Sequence, residues 1–324
     1  VCEVLVPVIF LALAFDFING FHDTANAVAT SLATGALTPR SAILLATTLN
    51  LLGALTFTGV ALTIAGGIID TAILFNNPKT ISAALLAAIV WNLLTWLGGL
   101  PSSSSHALVG ALTGATLAAT GPIGVNLAGL STIFQALVLS PLLAVTAGFA
   151  VMTVVFCLSG GRTGPHLNRR FRYWQRLAAA LQAFSHGTND AQKTMGVITL
   201  ALVLTGYQES FVVPLWVKVL SALALALGTS CGGWRIIRTV GRGITHLDPP
   251  AGFAADMGSA MVILTATLLG LPVSTTHVIS SSITGVGLTR GAKAVSWSTV
   301  ARILLAWVLT LPATTALGAL FYFL

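Results

Sequence analysis

Apolar stretches about 20 residues long follow one another along almost the whole chain, and that is the length a helix needs to cross a ~30 Å hydrocarbon core. In lipid every backbone N–H and C=O must be satisfied within the segment, so stretches of this kind fold as helices. Composition agrees: of 324 residues, 56% are hydrophobic and 7% charged, with a mean hydropathy of +0.93. Soluble domains carry roughly 25% charged residues, so this chain cannot solvate a globular surface of its size. A soluble enzyme and a disordered protein are excluded, and an all-α polytopic membrane protein is expected. The excess of 15 Lys and Arg over 8 Asp and Glu then reports topology in the membrane; it does not point to nucleic acid.

The chain repeats itself. Residues 17–23 read FINGFHD and residues 184–190 read FSHGTND, with Phe17, Gly20 and Asp23 at the same offsets as Phe184, Gly187 and Asp190. Further on, PSSSSHALVGALTG (101–114) pairs without a gap with PVSTTHVISSSITG (272–285). Two motifs recurring at matched separation define two copies of one unit. The first repeat covers 1–159, the polar stretch 160–173 is a basic linker, and the second repeat covers 174–324. Each copy holds five apolar pieces: 4–38, 41–68, 81–100, 103–120 and 127–158, then 174–205, 211–230, 251–270, 274–289 and 297–323.

Loop charge sets the orientation. With the N- and C-termini outside, Arg40, the basic cluster within 162–176, Arg235, Arg238, Arg242, Arg290 and Lys293 all fall on the cytoplasmic side, and Lys79 alone falls outside. Loop 70–80 has one Lys where its counterpart 231–248 has three Arg, so equivalent loops lie on opposite faces and the repeats are inverted in topology, as in many secondary transporters. The N-terminal stretch carries Glu3 and no basic region, so it is not read as a cleaved signal peptide. Cys2, Cys157 and Cys231 are odd in number and lack metal-ligand spacing, so no disulfide framework is expected.

The first piece of each copy exceeds one membrane crossing, and Gly20 or Gly187 followed by Asn, His and Asp interrupts it midway. Broken helices are expected there, with Asp23 and Asp190 facing a polar site between the repeats and not lipid. Ser102–Ser105 and Ser274–Thr276 follow Pro101 and Pro272, and each run opens a helix. Helix starts offer free N–H groups and a positive dipole end to an anion. Re-entrant hairpins that dip halfway from opposite faces bring two such starts together. His106 and His277 end the two runs as orienting groups. Gly110, Gly114, Ser281 and Gly285 have the spacing of close helix packing. The seven Trp are read mostly as interfacial anchors, and segment 162–176 as a solvated loop near anionic lipid.

At these residues the chain resembles the inorganic phosphate transporter (Pit) family, bacterial branch. Asp23, Asn26 and Ala27 in HDTANA match the family's first signature, Asn189 and Asp190 in HGTNDAQKTMG its second, and PVSTTH at 272–277 its tip motif, of which PSSSSH at 101–106 is a serine variant. The resemblance implies phosphate symport across the cell (plasma) membrane, no cofactor beyond a coupling cation, and a homodimer. The chemistry agrees, since hydroxyls and helix starts suit a tetrahedral oxyanion: Ser103, Ser104, Ser105, Ser274, Thr275 and Thr276 are expected to bind phosphate, with Asp23, Asn26, Asn189 and Asp190 completing the site and holding the cation. His22 stands where the first signature usually has Asn, and Lys193 where the second has the counterpart of Asn26. A lysine ammonium can fill the place of a bound sodium, and histidine as a residue type titrates near neutrality. Both departures favour proton coupling, with a neutral metal–phosphate complex as one form of the substrate. Sodium stays open because Asp23 and Asn26 are retained. Asp256, where relatives carry Glu, is a further candidate on the cation path.

Two other classes fit parts of the pattern. An intramembrane hydrolase would use the Ser, His and Asp residues, but serine beside histidine on one helical turn is poor triad geometry. A passive anion channel would use the same helix starts without coupling. No P-loop is present for an ATP-driven pump.

Overall fold

A computed structural model describes residues 2–75, 77–160 and 164–324. Arg162 of the basic segment lies outside the described residues, as do the side chains of Cys2 and Glu3. The first half contains α1 (Cys2–Ala33), α2 (Pro39–Ala54), α3 (Gly59–Gly67), α4 (Lys79–Leu97), α5 (Ser104–Thr120) and α6 (Leu127–Leu158). The second contains α7 (Pro165–Leu204), α8 (Leu215–Cys231), α9 (Trp234–Gly243), α10 (Pro249–Leu268), α11 (Thr275–Leu288) and α12 (Trp297–Phe323). Both halves run in the same order: a long helix, a bent pair, a hairpin, and a long helix with a proline inside it, Pro141 or Pro312. Single antiparallel bridges, Ile69–Val125 and Thr245–Val295, close the same place in each half.

The breaks fall elsewhere than expected. α1 and α7 run through Gly20 and Gly187 without interruption. The glycines serve close approach instead: a methyl at Gly20 would overlap the Leu225 carbonyl oxygen of α8, and one at Gly187 the Asn50 carbonyl oxygen of α2. Gly228 and Gly53 make the reciprocal contacts with Phe17 and Phe184. Each crossing joins one helix from each half, so the repeats interlock. The polar side chains at mid-helix take hydroxyl partners from the hairpin tips, so the helices have no need to unwind. The bends lie between α2 and α3 (69°) and between α8 and α9 (72°).

Two stretches read as loops are helical. The connector 160–173 is helix from Pro165 onward, started by proline at its first position. Just beyond it α7 docks on the end of α1, where Arg176 Nε donates to the Ala36 carbonyl at 2.8 Å and Thr34 Oγ1 to Gln175 Oε1 at 2.7 Å. Within 231–248, α9 buries Ile236, Ile237 and Val240 and turns Arg235, Arg238 and Arg242 outward, an amphipathic pattern.

The hairpins α4–α5 and α10–α11 are built alike. α4 and α10 end at left-handed Gly99 (φ +63°) and Gly270 (φ +68°), which let Leu100 N donate to Thr95 O (2.9 Å) and Leu271 N to Ala266 O (2.8 Å). A proline then directs the chain to the N-caps Ser103 and Ser274, whose hydroxyls accept the His106 and His277 amides at 3.1 and 3.3 Å. α5 packs along α12, with Gly110 and Gly114 against Leu311 and Thr315, and α11 packs along α6, with Gly285 against Val145. Each hairpin therefore leans on the last helix of the other half, and α5 and α11 meet at their starts. This is the arrangement of two inverted-topology repeats whose hairpins meet tip to tip. Among the described residues six helices are long and apolar enough to cross a membrane, or up to eight if each bent pair is one span. α7 is not among them because it carries Arg169, Arg170, Arg172 and Arg176 at its start and polar groups at its middle; residues 185–202 are buried instead.

Candidate functional site

α1 and α7 pack against each other at the centre of the molecule and carry the two acids to the hairpin tips. Asp23 Oδ2 accepts from Ser104 Oγ at 2.8 Å, and its Oδ1 from Thr276 Oγ1 at 3.2 Å. One carboxylate thus holds the starts of both α5 and α11. Asp190 accepts from Thr275 Oγ1, 3.2 Å from Oδ2 and 3.3 Å from Oδ1. Asn26 Nδ2 donates to Thr275 and Thr276 hydroxyls at 3.2 and 2.9 Å. Lys193 Nζ lies 2.5 Å from Asp190 Oδ1, and His186 Nε2 lies 3.1 Å from Oδ2. All of these side chains are buried. Asp23 and Asp190 persist as buried carboxylates because each is paired or hydrogen-bonded.

The expected site residues divide by what they touch. Ser104, Thr275 and Thr276 turn their hydroxyls to the acids. Ser103 and Ser274 spend theirs on capping, and Ser105 Oγ bridges the tips by donating to the Val273 carbonyl at 2.9 Å. Asn189 fixes the second tip: its Nδ2 donates to Thr267 Oγ1 (3.1 Å) and Leu271 O (3.3 Å), and its Oδ1 accepts from Val273 N (3.3 Å). His22, at the same place in the first copy, is 2.7 Å from Asp23 Oδ1 through Nδ1 and 3.2 Å from Thr95 Oγ1 through Nε2. Thr95 in turn accepts from Ser102 Oγ at 2.7 Å, so His22 steadies the first tip. Asp256 stands apart on α10, where Thr30 Oγ1 donates to its Oδ1 at 2.5 Å.

Sequence reasoning passed over two members. His186 occupies the place of Asn19 in the second copy, and its exchange for an imidazole beside Asp190 was the available signal. Asp23, His186 and Asp190 offer ligand atoms within 4.8 Å of one another, a carboxylate–imidazole–carboxylate group able to hold a cation. Trp307 of α12 donates to the Pro101 carbonyl at 3.1 Å and stacks on His277 with centroids 3.7 Å apart, while His277 lies 4.5 Å from the His106 ring. It clamps both tips, and no motif around it announces that role.

The phosphate transporter family model matches residues 19–162 and again 158–318, once for each half. The chain belongs to this family. A Bacillus subtilis protein described as a probable low-affinity inorganic phosphate transporter is 52% identical over 318 residues, covering 98% of this chain and 96% of its own. A Rhizobium meliloti protein of the same description is 45% identical over 321 residues, with 98% and 96% covered. A solved structure described as the sodium-dependent phosphate transporter superposes with a TM-score of 0.90 at 26% identity, covering 99% of this chain and 98% of that one. These relatives are named as transporters, a non-enzyme function.

Proposed function

We propose that this protein is a secondary active transporter that imports inorganic phosphate by proton symport through alternating access. The supporting observation is the meeting of two hydroxyl-bearing helix starts, one from each inverted half, beside Asp23 and Asp190. First-turn amides have no intrahelical partner, so the N–H groups of Ser104, Ser105, Thr275 and Thr276 are available together with the Ser104, Thr275 and Thr276 hydroxyls. Aimed from opposite directions, they suit a tetrahedral oxyanion. The P–OH of hydrogen phosphate donates to Asp23 or Asp190; fully ionised sulfate has no proton to give and meets carboxylate repulsion. Asn26 orients the two threonines, while Ser103, Ser105, Ser274 and Asn189 hold the tips in place.

Lys193 supports the proton: its ammonium already compensates Asp190, where a sodium would otherwise sit. His22 and His186, each against one acid, are the exchangeable proton carriers. The Asp23–His186–Asp190 group also suits the metal of a neutral metal–phosphate complex as substrate. Sodium coupling is the second alternative, supported by the retained Asp23 and Asn26 and by the sodium-dependent structural neighbour. In the membrane both termini lie outside, the start of α7 lies in the cytoplasm with its arginines near anionic lipid, and two copies form a homodimer.

Phosphate uptake into proteoliposomes, with pH and sodium gradients imposed separately at fixed voltage, tests this. Uptake driven by the pH gradient is expected. Uptake that follows neither gradient identifies a passive channel, and uptake that follows sodium identifies the alternative coupling. Asp23→Asn or Asp190→Asn abolishes uptake with expression intact; undiminished uptake in both overturns the site.

A further inference from the structure

The polar residues of α1 lie in one row. Asp16, Asn19, Asp23, Asn26 and Thr30 are spaced by three or four residues, so they share one face of the unbroken helix, and all five are buried. Asp23 and Asn26 belong to the central cluster, and Thr30 serves Asp256. Asp16 lies two turns, about 10 Å, beyond Asp23 on the side away from Thr30, and nothing described so far uses it. It has no counterpart in the second half, where Ala183 takes its place.

Neither carboxylate oxygen of Asp16 has a hydrogen-bond partner, and neither does Asn19 Oδ1 nor Thr194 Oγ1 on α7. Asn19 and Thr194 are the side chains that face Asp16, with Asp190 and Lys193 behind them. Of the other helices packed on α1, α2, α4, α8 and α9 bury no ionisable group: the buried polar residues of α4 are Thr80, Asn92 and Thr95, those of α8 are Ser221 and Thr229, that of α2 is Asn50, and α9 buries apolar residues, while Asp256 of α10 is engaged by Thr30 and His277 of α11 by the Trp307 ring. Charge is out of balance as well. Among the described residues four aspartates are buried (Asp16, Asp23, Asp190 and Asp256), and Lys193, the one buried Lys or Arg, is already against Asp190. A carboxylate, an amide and a hydroxyl lie together there, buried, with oxygens that have no close hydrogen-bond partner, and oxygens of this kind are the ligands of a small hard cation.

We propose that Asp16, with Asn19 and Thr194, binds a second monovalent cation, a proton or a sodium ion, on the α1–α7 seam above the central cluster. Only the word coupling, if applied to that cation, depends on the phosphate symport proposed above; the binding itself does not.

Purified full-length protein, wild type against Asp16→Asn, decides between the sources without any phosphate. If sodium occupies the site, equilibrium binding of radioactive sodium falls by one ion per chain. If a proton does, infrared difference spectra across a pH change lose one carboxylic acid carbonyl band. A folded Asp16→Asn protein in which neither quantity changes overturns the proposal. Should Asp16→Asn fail to fold, Thr194→Val removes one oxygen at nearly constant volume. It is expected to weaken sodium binding about tenfold, or to shift the frequency of the acid band, and no change in either also overturns the proposal. Failure of phosphate uptake in the wild type, by contrast, touches only the proposed function.

Discussion

Lys193 Nζ lies 2.5 Å from Asp190 Oδ1, three residues earlier on α7, and neither side chain reaches solvent. A buried pair of this kind is held by mutual compensation, and loss of one partner leaves the other charge uncovered, at a cost of about 3–5 kcal/mol. Lys193→Met is therefore expected to lower the thermal unfolding midpoint sharply and to abolish uptake. Lys193→Asn restores the side chain that Asn26 supplies in the first half. It is expected to shift the driving ion, so that uptake into proteoliposomes gains dependence on a sodium gradient and loses dependence on pH. A Lys193→Asn variant that is active and still follows pH alone contradicts the role given to the ammonium.

The interlock of the halves depends on glycine. At Gly20 and Gly187 an added methyl meets a carbonyl oxygen of α8 or α2, so backbone, not a flexible side chain, has to yield. Overpacking of this sort costs about 1–3 kcal/mol. Gly20→Ala and Gly187→Ala are each expected to reduce the yield of monodisperse protein in detergent and its unfolding temperature. Adding a methyl at Gly66, whose nearest neighbour is the Phe211 ring at 3.6 Å, is the contrasting case and is expected to change little.

These glycines also mark where sequence and structure part. The apolar pieces, the duplication and the pairing of acids with hydroxyl runs are all carried by spacing along the chain, so they were legible without coordinates. A glycine next to Asn, His and Asp at membrane depth has one appearance in sequence whether the helix breaks there or another helix crosses it closely. Only the partner helix distinguishes the two, and that partner lies in the other half of the chain. The serine runs were ambiguous for a related reason. Neighbouring residues at a helix start point about 100° apart, so one caps, one faces the acid and one reaches across to Val273. Which residue takes which role follows from the entry angle that Pro101 and Pro272 impose. Trp307 belongs to an apolar helix and gains its meaning only where α12 passes the tips.

His22 and Asn189 steady the two tips by different chemistry. Asn189 satisfies a tip amide and a tip carbonyl directly, whereas His22 works through Thr95 and also touches Asp23. Asn189→Ala is expected to raise the KM for phosphate and weaken stability, because Val273 N and Leu271 O lose a partner at about 1–3 kcal/mol each. His22→Asn is expected to preserve phosphate binding while flattening the pH dependence of uptake, since an amide fills the same place without exchanging a proton. Equal effects of the two substitutions on KM and on the pH profile would mean that both residues act as tip supports and neither as a proton carrier.

The proposed alternating access makes a demand on the tips themselves. In the structure the starts of α5 and α11 are buried together and held by Asp23, Asp190 and Asn26. To admit phosphate from one side and release it to the other, one hairpin must withdraw while the other stays against the acids. Single cysteines at Ser103 and Ser274, in a background with Cys2, Cys157 and Cys231 replaced, report this directly. Both positions cap and do not face the acids, so transport is expected to be reduced but measurable. Membrane-impermeant thiol reagents are expected to label Ser103→Cys from one face and Ser274→Cys from the other, with phosphate and the coupling ion lowering both rates. Labelling of both positions from a single face, whatever the ligand, would place the two helix starts in one surface vestibule and end the case for opposed hairpins.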